Sequence, residues 1–169
     1  MTTSVLPRNV MLTVGAMLAA TVTIQSASRR EVPLEERVRG AERIVAGHVM
    51  MVRSEFATNE FGDRLIVTRA RVVVSEVLKG QVPGSTVEVN IEGGTVGEVT
   101  LHVSDMPEVR PGDRVALLLS QNRLGQTVPH LRGQGVFKLD RSGRDAEQGV
   151  GLDEIRTAAR SAHGHVQQR

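Results

Sequence analysis

From Val87 to Glu92 apolar and polar side chains alternate without a break, Val87, Val89 and Ile91 against Glu88, Asn90 and Glu92. A period of two puts the three apolar residues on one face of a strand and the polar ones on the other. Leu65 to Leu78 reads the same way, with Ile66, Ala70, Val72 and Val74 on one face and Arg69 and Arg71 on the other. Val99, Leu101 and Val103 repeat the alternation against Glu98, Thr100, His102 and Ser104. Two segments are continuously apolar: IVAGHVMMV from Ile44, and Val115 to Leu119. Each predicts a strand buried on both faces or nearly so, the second a central one. Gln134 to Asp140 supplies a last short strand around Val136, Phe137 and Leu139.

Helical spacing is confined to the two ends of this run of strands. Pro33, with Glu35 and Glu36 in the first turn, opens a helix bearing Leu34, Val38 and Ala41, because proline and acidic residues suit a helix N-terminus. Leu152, Ile155 and Ala159 form one narrow apolar helical face near the C-terminus. Val82-Pro83-Gly84 and Pro111-Gly112-Asp113 are turn signals, and Glu55 to Arg64 and Arg141 to Val150 read as polar loops. Short strands at this spacing between two short helices predict a mainly β fold, a small closed or half-closed barrel of five to six strands with short flanking helices, in preference to a layered α/β sheet.

The first residues follow another plan. Arg8 precedes an apolar run from Val10 to Ala20, which passes into small and polar residues. That is the layout of a secretory signal peptide, expected over residues 1–28 with cleavage after Ser28 in preference to Ala27. A buried N-terminal helix and a retained anchor are the alternatives, although the run is short for a membrane span. The expected organisation is a signal peptide (1–28), an N-terminal helical segment (29–42), a β-barrel domain (43–140), a loop and C-terminal helix (141–162) and a flexible tail (163–169). The expected setting is extracytoplasmic, periplasmic or secreted in a bacterium, with no stable membrane anchor after cleavage.

Composition narrows the chemistry. The chain has no Cys, so disulfides, thiolate metal sites and thiol nucleophiles are excluded together. Its pI of about 9.9 accompanies a net charge of only +2. With two lysines, Lys79 and Lys138, and no Tyr or Cys, few groups titrate between neutrality and about pH 10, so the pI argues little for a polyanion partner. Nucleic acid is not expected: single-strand binders stack bases on aromatic rings, and only Phe56, Phe61 and Phe137 exist.

The pieces VLKG (Val77 to Gly80), EGGTVG (Glu92 to Gly97), MPEVRPGDRVALLL (Met106 to Leu119) and QGVFKL (Gln134 to Leu139) occur in an order that resembles a group of uncharacterised secreted bacterial proteins. More distantly, the strand ending in L-K-G is similar to the netrin-like module of tissue inhibitors of metalloproteinases, an OB-type five-stranded barrel. The resemblance spans roughly residues 44–139 and implies a netrin-like fold outside the cytoplasm. Those inhibitors chelate the target zinc through an N-terminal cysteine, which this chain lacks, so their mechanism does not carry over.

Each candidate site also has a plain structural role. Gly93, Gly94 and Gly97 make the nearest approach to an anion nest, but a phosphate loop leads into a helix and here a strand follows, which favours a turn or bulge. Ser104, Asp105 and His102 are neighbours on one strand and point to opposite faces, so they form no relay. Glu88 and Glu92 read as a solvated strand face, and His48 as a core residue. No catalytic, cofactor-binding or metal-binding residue and no cofactor is expected. The sequence therefore predicts an exported, non-enzymatic binding module for a protein or cell-envelope component. Its candidate interaction loops hold Phe56, Asn59, Phe61, Gly93, Gly94 and Gly97. The alternatives are an accessory or inhibitor of a secreted protease and, less favoured, a small hydrolase.

Overall fold

The computed structural model describes residues 31–164, so the expected signal peptide and residues 165–169 lie outside the described part. In chain order the elements are α1 (Leu34–Gly40), β1 (Arg43–Thr58), β2 (Arg64–Lys79), β3 (Thr86–Glu92), β4 (Gly94–Val96), β5 (Val99–Leu101), β6 (Arg114–Gln121), β7 (Thr127–Pro129), a 3-10 turn (Arg132–Gly135), β8 (Val136–Leu139) and α2 (Leu152–Gly164). The fold is mainly β, as its alternation predicts. One antiparallel sheet runs β3-β2-β1-β6-β7, with β8 also on β6, and β4 and β5 form a separate hairpin.

The expected barrel is not closed by backbone pairing: the path ends at β3 on one side and β7 on the other. Two features of β7 explain this. The His130 N–H donates to the Leu118 carbonyl, so the backbone groups of Thr127 and Pro129 face away from β6, and Pro129 has no N–H to offer. A side chain bridges the ends instead, the Asn90 amide donating to the Thr127 carbonyl at 3.3 Å.

Glu55 to Arg64 is not a loop. β1 and β2 continue through half of it, and residues 59–63 turn. Polar residues here are compatible with strand because they pair across the hairpin; Arg69 meets Glu55 at 2.6 Å. The run from Ile44 is buried on both faces only as far as Ala46. His48, Met50 and Met51 are exposed, because β6 accompanies β1 only from Arg43 to His48. His48 is therefore not a core residue. The alternation from Val99 yields a three-residue strand with Val99 exposed, and α2 runs to Gly164, past the expected boundary at 162.

Two apolar clusters hold the sheet. The first is built from the sheet's own side chains, largely valine, including Val45, Val72, Val89, Val115 and Leu117. The second lies under the helices and joins Val38, Ile44, Leu118, Phe137 and Ile155. Because β6 is central, its successive residues enter the two clusters alternately. Arg37 is 2% exposed in the second cluster, over the Phe137 ring at 5.3 Å. It donates to the Gln134 carbonyl at 2.8 Å and to Gln148 Oε1 at 2.6 Å.

The quoted L-K-G segment has a structural use. Lys79 Nζ reaches three carbonyls at the end of α1, those of Val38, Arg39 and Ala41, at 2.7 to 2.9 Å. A cation there satisfies acceptors that a helix end leaves open. Arg156 pins α2 to β2 through Glu76 at 2.6 Å and also holds Asp153 at 2.6 Å.

Candidate functional site

Three turns in this protein share one design. In Asn59-Glu60-Phe61-Gly62-Asp63 the Asn59 side-chain oxygen accepts the N–H groups of Phe61 and Asp63 at 3.0 and 2.9 Å. In Asn122-Arg123-Leu124-Gly125-Gln126 the Asn122 oxygen accepts those of Leu124 and Gln126 at 3.0 and 2.9 Å. Asp140 does the same for Ser142 and Arg144 at 2.8 and 3.1 Å. In each turn the fourth residue is a glycine at positive φ, and its N–H returns to the carbonyl of the first. The recurring Asx-x-x-Gly-x is legible in the sequence as Asx-turn chemistry, and it was the missed signal for the β6–β7 hairpin.

The first two turns stand side by side, the Arg123 N–H donating to Glu60 Oε2 at 3.3 Å. Their third positions carry Phe61 and Leu124, which are 72% and 54% exposed. Between these turns, β3 and the bend at Leu131 is a cleft of about 200 Å³. Val67, Met106, Val128 and Pro129 give it an apolar lining, with Asn90 and Glu92 among its polar groups.

The third side of the cleft is strained. Leu131 and Arg132 have φ of 55° and 59°, two consecutive non-glycine residues in the left-handed region. Each costs about 1–2 kcal/mol against an ordinary conformation. Residues held this way persist only where their surroundings over-determine them, and they collect at functional sites. The clamp here is Arg132. Its Nε and Nη2 donate to both oxygens of Asp105 at 2.6 and 3.1 Å, and its Nη1 donates to Glu92 at 2.7 Å. The next residue, Gly133, lies so close to the 105–107 segment that a Cβ would sit 1.9 Å from the Asp105 carbonyl oxygen.

The candidate residues are thus divided. Phe61 borders the cleft, and Asn59 lines it while shaping the turn. Phe56 lies on β1 opposite Ile66, with the Arg64 guanidinium 5.3 Å from its ring centre. Gly93 and Gly94 line a second cleft of about 280 Å³. Their role there is close approach: the Thr68 hydroxyl donates to the Gly93 carbonyl at 2.7 Å and shares a 2.8 Å hydrogen bond with Ser54. A Cβ on Gly94 would fall 2.3 Å from Thr68 Oγ1. Gly97 belongs to the β4–β5 turn, at φ 59° with open space around it.

The residues considered for catalysis are dispersed. Asp105 is engaged by Arg132, while His102 and Ser104 are exposed. Glu88 lies between Arg69 and Arg71, and Glu92 is bound to Arg132. Arg71 and Arg110 face acids in the same manner, Glu88 at 3.6 Å and Glu108 at 3.0 Å. Among the described residues no group of three His, Asp or Glu side chains converges as a metal site.

One pairing escaped the sequence reading. The Ser120 hydroxyl and His130 Nδ1 are 2.9 Å apart across β6 and the end of β7. Burial lowers the His130 pKa most, Lys79 lowers it further, and Glu42 opposes both. The other ring nitrogen faces Gly40, where a Cβ would lie 2.6 Å away, and the pair borders neither cleft. Its evident effect is to fasten the end of β7 to β6. A scan against family models and a search of curated proteins found no match to this chain.

Proposed function

We propose that this protein is an exported, non-enzymatic binding module and that the cleft between the two Asx turns and the Leu131–Arg132 bend is where it holds its partner, a protein or a cell-envelope component. One observation carries the reading. Two large apolar side chains, Phe61 and Leu131, are exposed on one apolar-lined cleft, and the second stands on a strained backbone. Exposed apolar groups gathered at a concave site mark a place of contact, whereas scattered ones need no explanation. The export part rests on the charged, apolar, then small-residue order of the first 28 residues. The curled sheet, joined from β3 to β7 by Asn90 and from β3 to the 3-10 turn by Arg132, is our basis for describing the fold as an OB-like barrel closed by side chains.

The test uses the third Asx turn as an internal control. A photoreactive phenylalanine analogue is placed at Phe61 in one protein and at Ser142, the matching position of the other turn, in a second. Both are irradiated with the envelope fraction of the source. The reading requires a product that forms from position 61 and not from 142, and that is lost with Leu131→Ser. Equal products from both positions sink it.

A further inference from the structure

β1 loses a neighbour part-way along. β6 pairs with it from Arg43 to His48, and from Val52 to Thr58 only β2 pairs with it. The Asn59 N–H donates to the Asp63 carbonyl, which fixes the alternation of the ladder. Arg53, Glu55 and Ala57 exchange hydrogen bonds with β2, and the backbone groups of Val52, Ser54, Phe56 and Thr58 point the other way. Among the described residues those outward groups hydrogen-bond to no other strand, and β4 approaches β1 beside Ser54, where a Cβ on Gly94 would lie 2.5 Å from the Ser54 hydroxyl. Met50, Met51 and Phe56, on or beside this edge, are 48%, 45% and 45% exposed. Such an edge is a template for another strand.

Charge selects the occupant. Arg53 lies directly opposite Arg69 on β2, a like-charge pair. Arg69 is balanced by Glu55 at 2.6 Å and Glu88 at 3.6 Å, but among the described residues Arg53 has no acid of its own. We propose that a second copy of this chain docks on the edge, β1 against β1, antiparallel about a two-fold axis through Ser54. In this register Val52 exchanges backbone hydrogen bonds with Phe56 of the second copy, and Ser54 with its own counterpart. Arg53 then stands opposite Glu55 of the second copy, and the symmetry repeats that pair. The Glu55 carboxylate keeps Arg69 on one oxygen and offers the other to the incoming arginine.

The alternatives are disfavoured by the same residues. A slide of two positions one way sets Arg53 against Arg53, and a slide the other way sets Glu55 against Glu55. A slide of one position turns the outward backbone groups out of register. An isologous contact of this kind closes at two copies and does not propagate into a fibre.

Sedimentation of the full chain tests the pairing. The wild type is expected to dimerise, and R53E and E55K are each expected to weaken the dimer about 10-fold or more, since each sets like charges opposite one another twice. An equal mixture of R53E and E55K is expected to associate again, because each copy then supplies what the other lacks. Amide exchange gives an independent readout: the N–H groups of Val52, Ser54 and Phe56 should become protected as wild-type concentration rises. A wild-type chain still monomeric at about 1 mM overturns the proposal, since even an association of about 4 kcal/mol would show there. So does an R53E protein as dimeric as wild type, a folded mixture that stays monomeric, or exchange at these amides that ignores concentration.

Discussion

Arg37 and Arg132 each gather groups from distant parts of the chain, yet they sit in opposite surroundings. Arg37 lies on a regular helix, 2% exposed, and binds Gln134, Gln148 and the face of Phe137. Burial lowers its pKa, and Glu31 and Glu35 oppose that shift. Its contacts tie α1 to the 3-10 turn, β8 and the 145–149 loop, and it lines neither of the two clefts described above. The Arg132 side chain is 39% exposed, occupies a strained backbone and borders the candidate cleft. One arginine completes a core, and the other holds open space in a fixed shape. The lesson is that a paired cation has no single meaning. What separates the two is the backbone beneath the cation and the space in front of it.

The largest expected effect tests the covered side. Phe137→Ala removes the ring beneath Arg37 and opens a cavity in the helix-covered cluster, at a cost of about 3–5 kcal/mol. A denaturant midpoint close to wild type would remove that cluster's claim to be a core. Arg37→Ala comes next. It leaves the Gln134 carbonyl and the Gln148 amide oxygen without their donor, at a cost of about 2–3 kcal/mol in the same unfolding measurement.

On the cleft side the sign reverses. Leu131→Gly relieves a left-handed residue and is expected to raise stability by about 1 kcal/mol, while it weakens capture through position 61. A stabilised variant that captures as well as wild type would separate the strain from binding. At equilibrium unfolding, a loss of stability would mean that Leu131 is held by packing and carries no releasable strain.

The smallest effect is set by pH and belongs between the two regions, at His130. Its folded pKa lies below the ordinary histidine value of 6.5, chiefly because burial disfavours the imidazolium. The unfolded chain therefore binds the proton more readily. The resulting stability is fully present above about pH 6.5 and is lost as pH falls through the lowered folded value. Unfolding midpoints at pH 7.5 and 5.5 should differ more in wild type than in His130→Asn. Identical differences would show that other groups govern the acid limb.

Much of the β framework was readable because its information is local. Val87, Val89 and Ile91 declare a face by their spacing, Val115 to Leu119 declare a central strand by unbroken hydrophobicity, and both helices declare themselves by short apolar stripes. The β1–β2 hairpin is longer than its polarity suggests, since Glu55 and Arg69 have the character of loop and surface residues and belong to the strands through a cross-strand bond. Of the candidate site, Phe61 and Asn59 are legible through their place in the polar stretch from Glu55 to Arg64. The β7 strand was not, because three residues ending in proline carry no periodicity.

Local spacing is enough to set which side chains share a strand face, and composition is enough to remove cysteine chemistry. These depend on residues within a few positions of one another, where backbone geometry translates spacing into direction. Burial of Arg37, the clamp on Arg132, the strain at Leu131 and the open edge where β1 outruns β6 arise in the folded chain alone. Arg132 meets Asp105 across 27 positions and Glu92 across 40. Contacts of that span depend on how the whole sheet curls, and no local pattern of side chains encodes them.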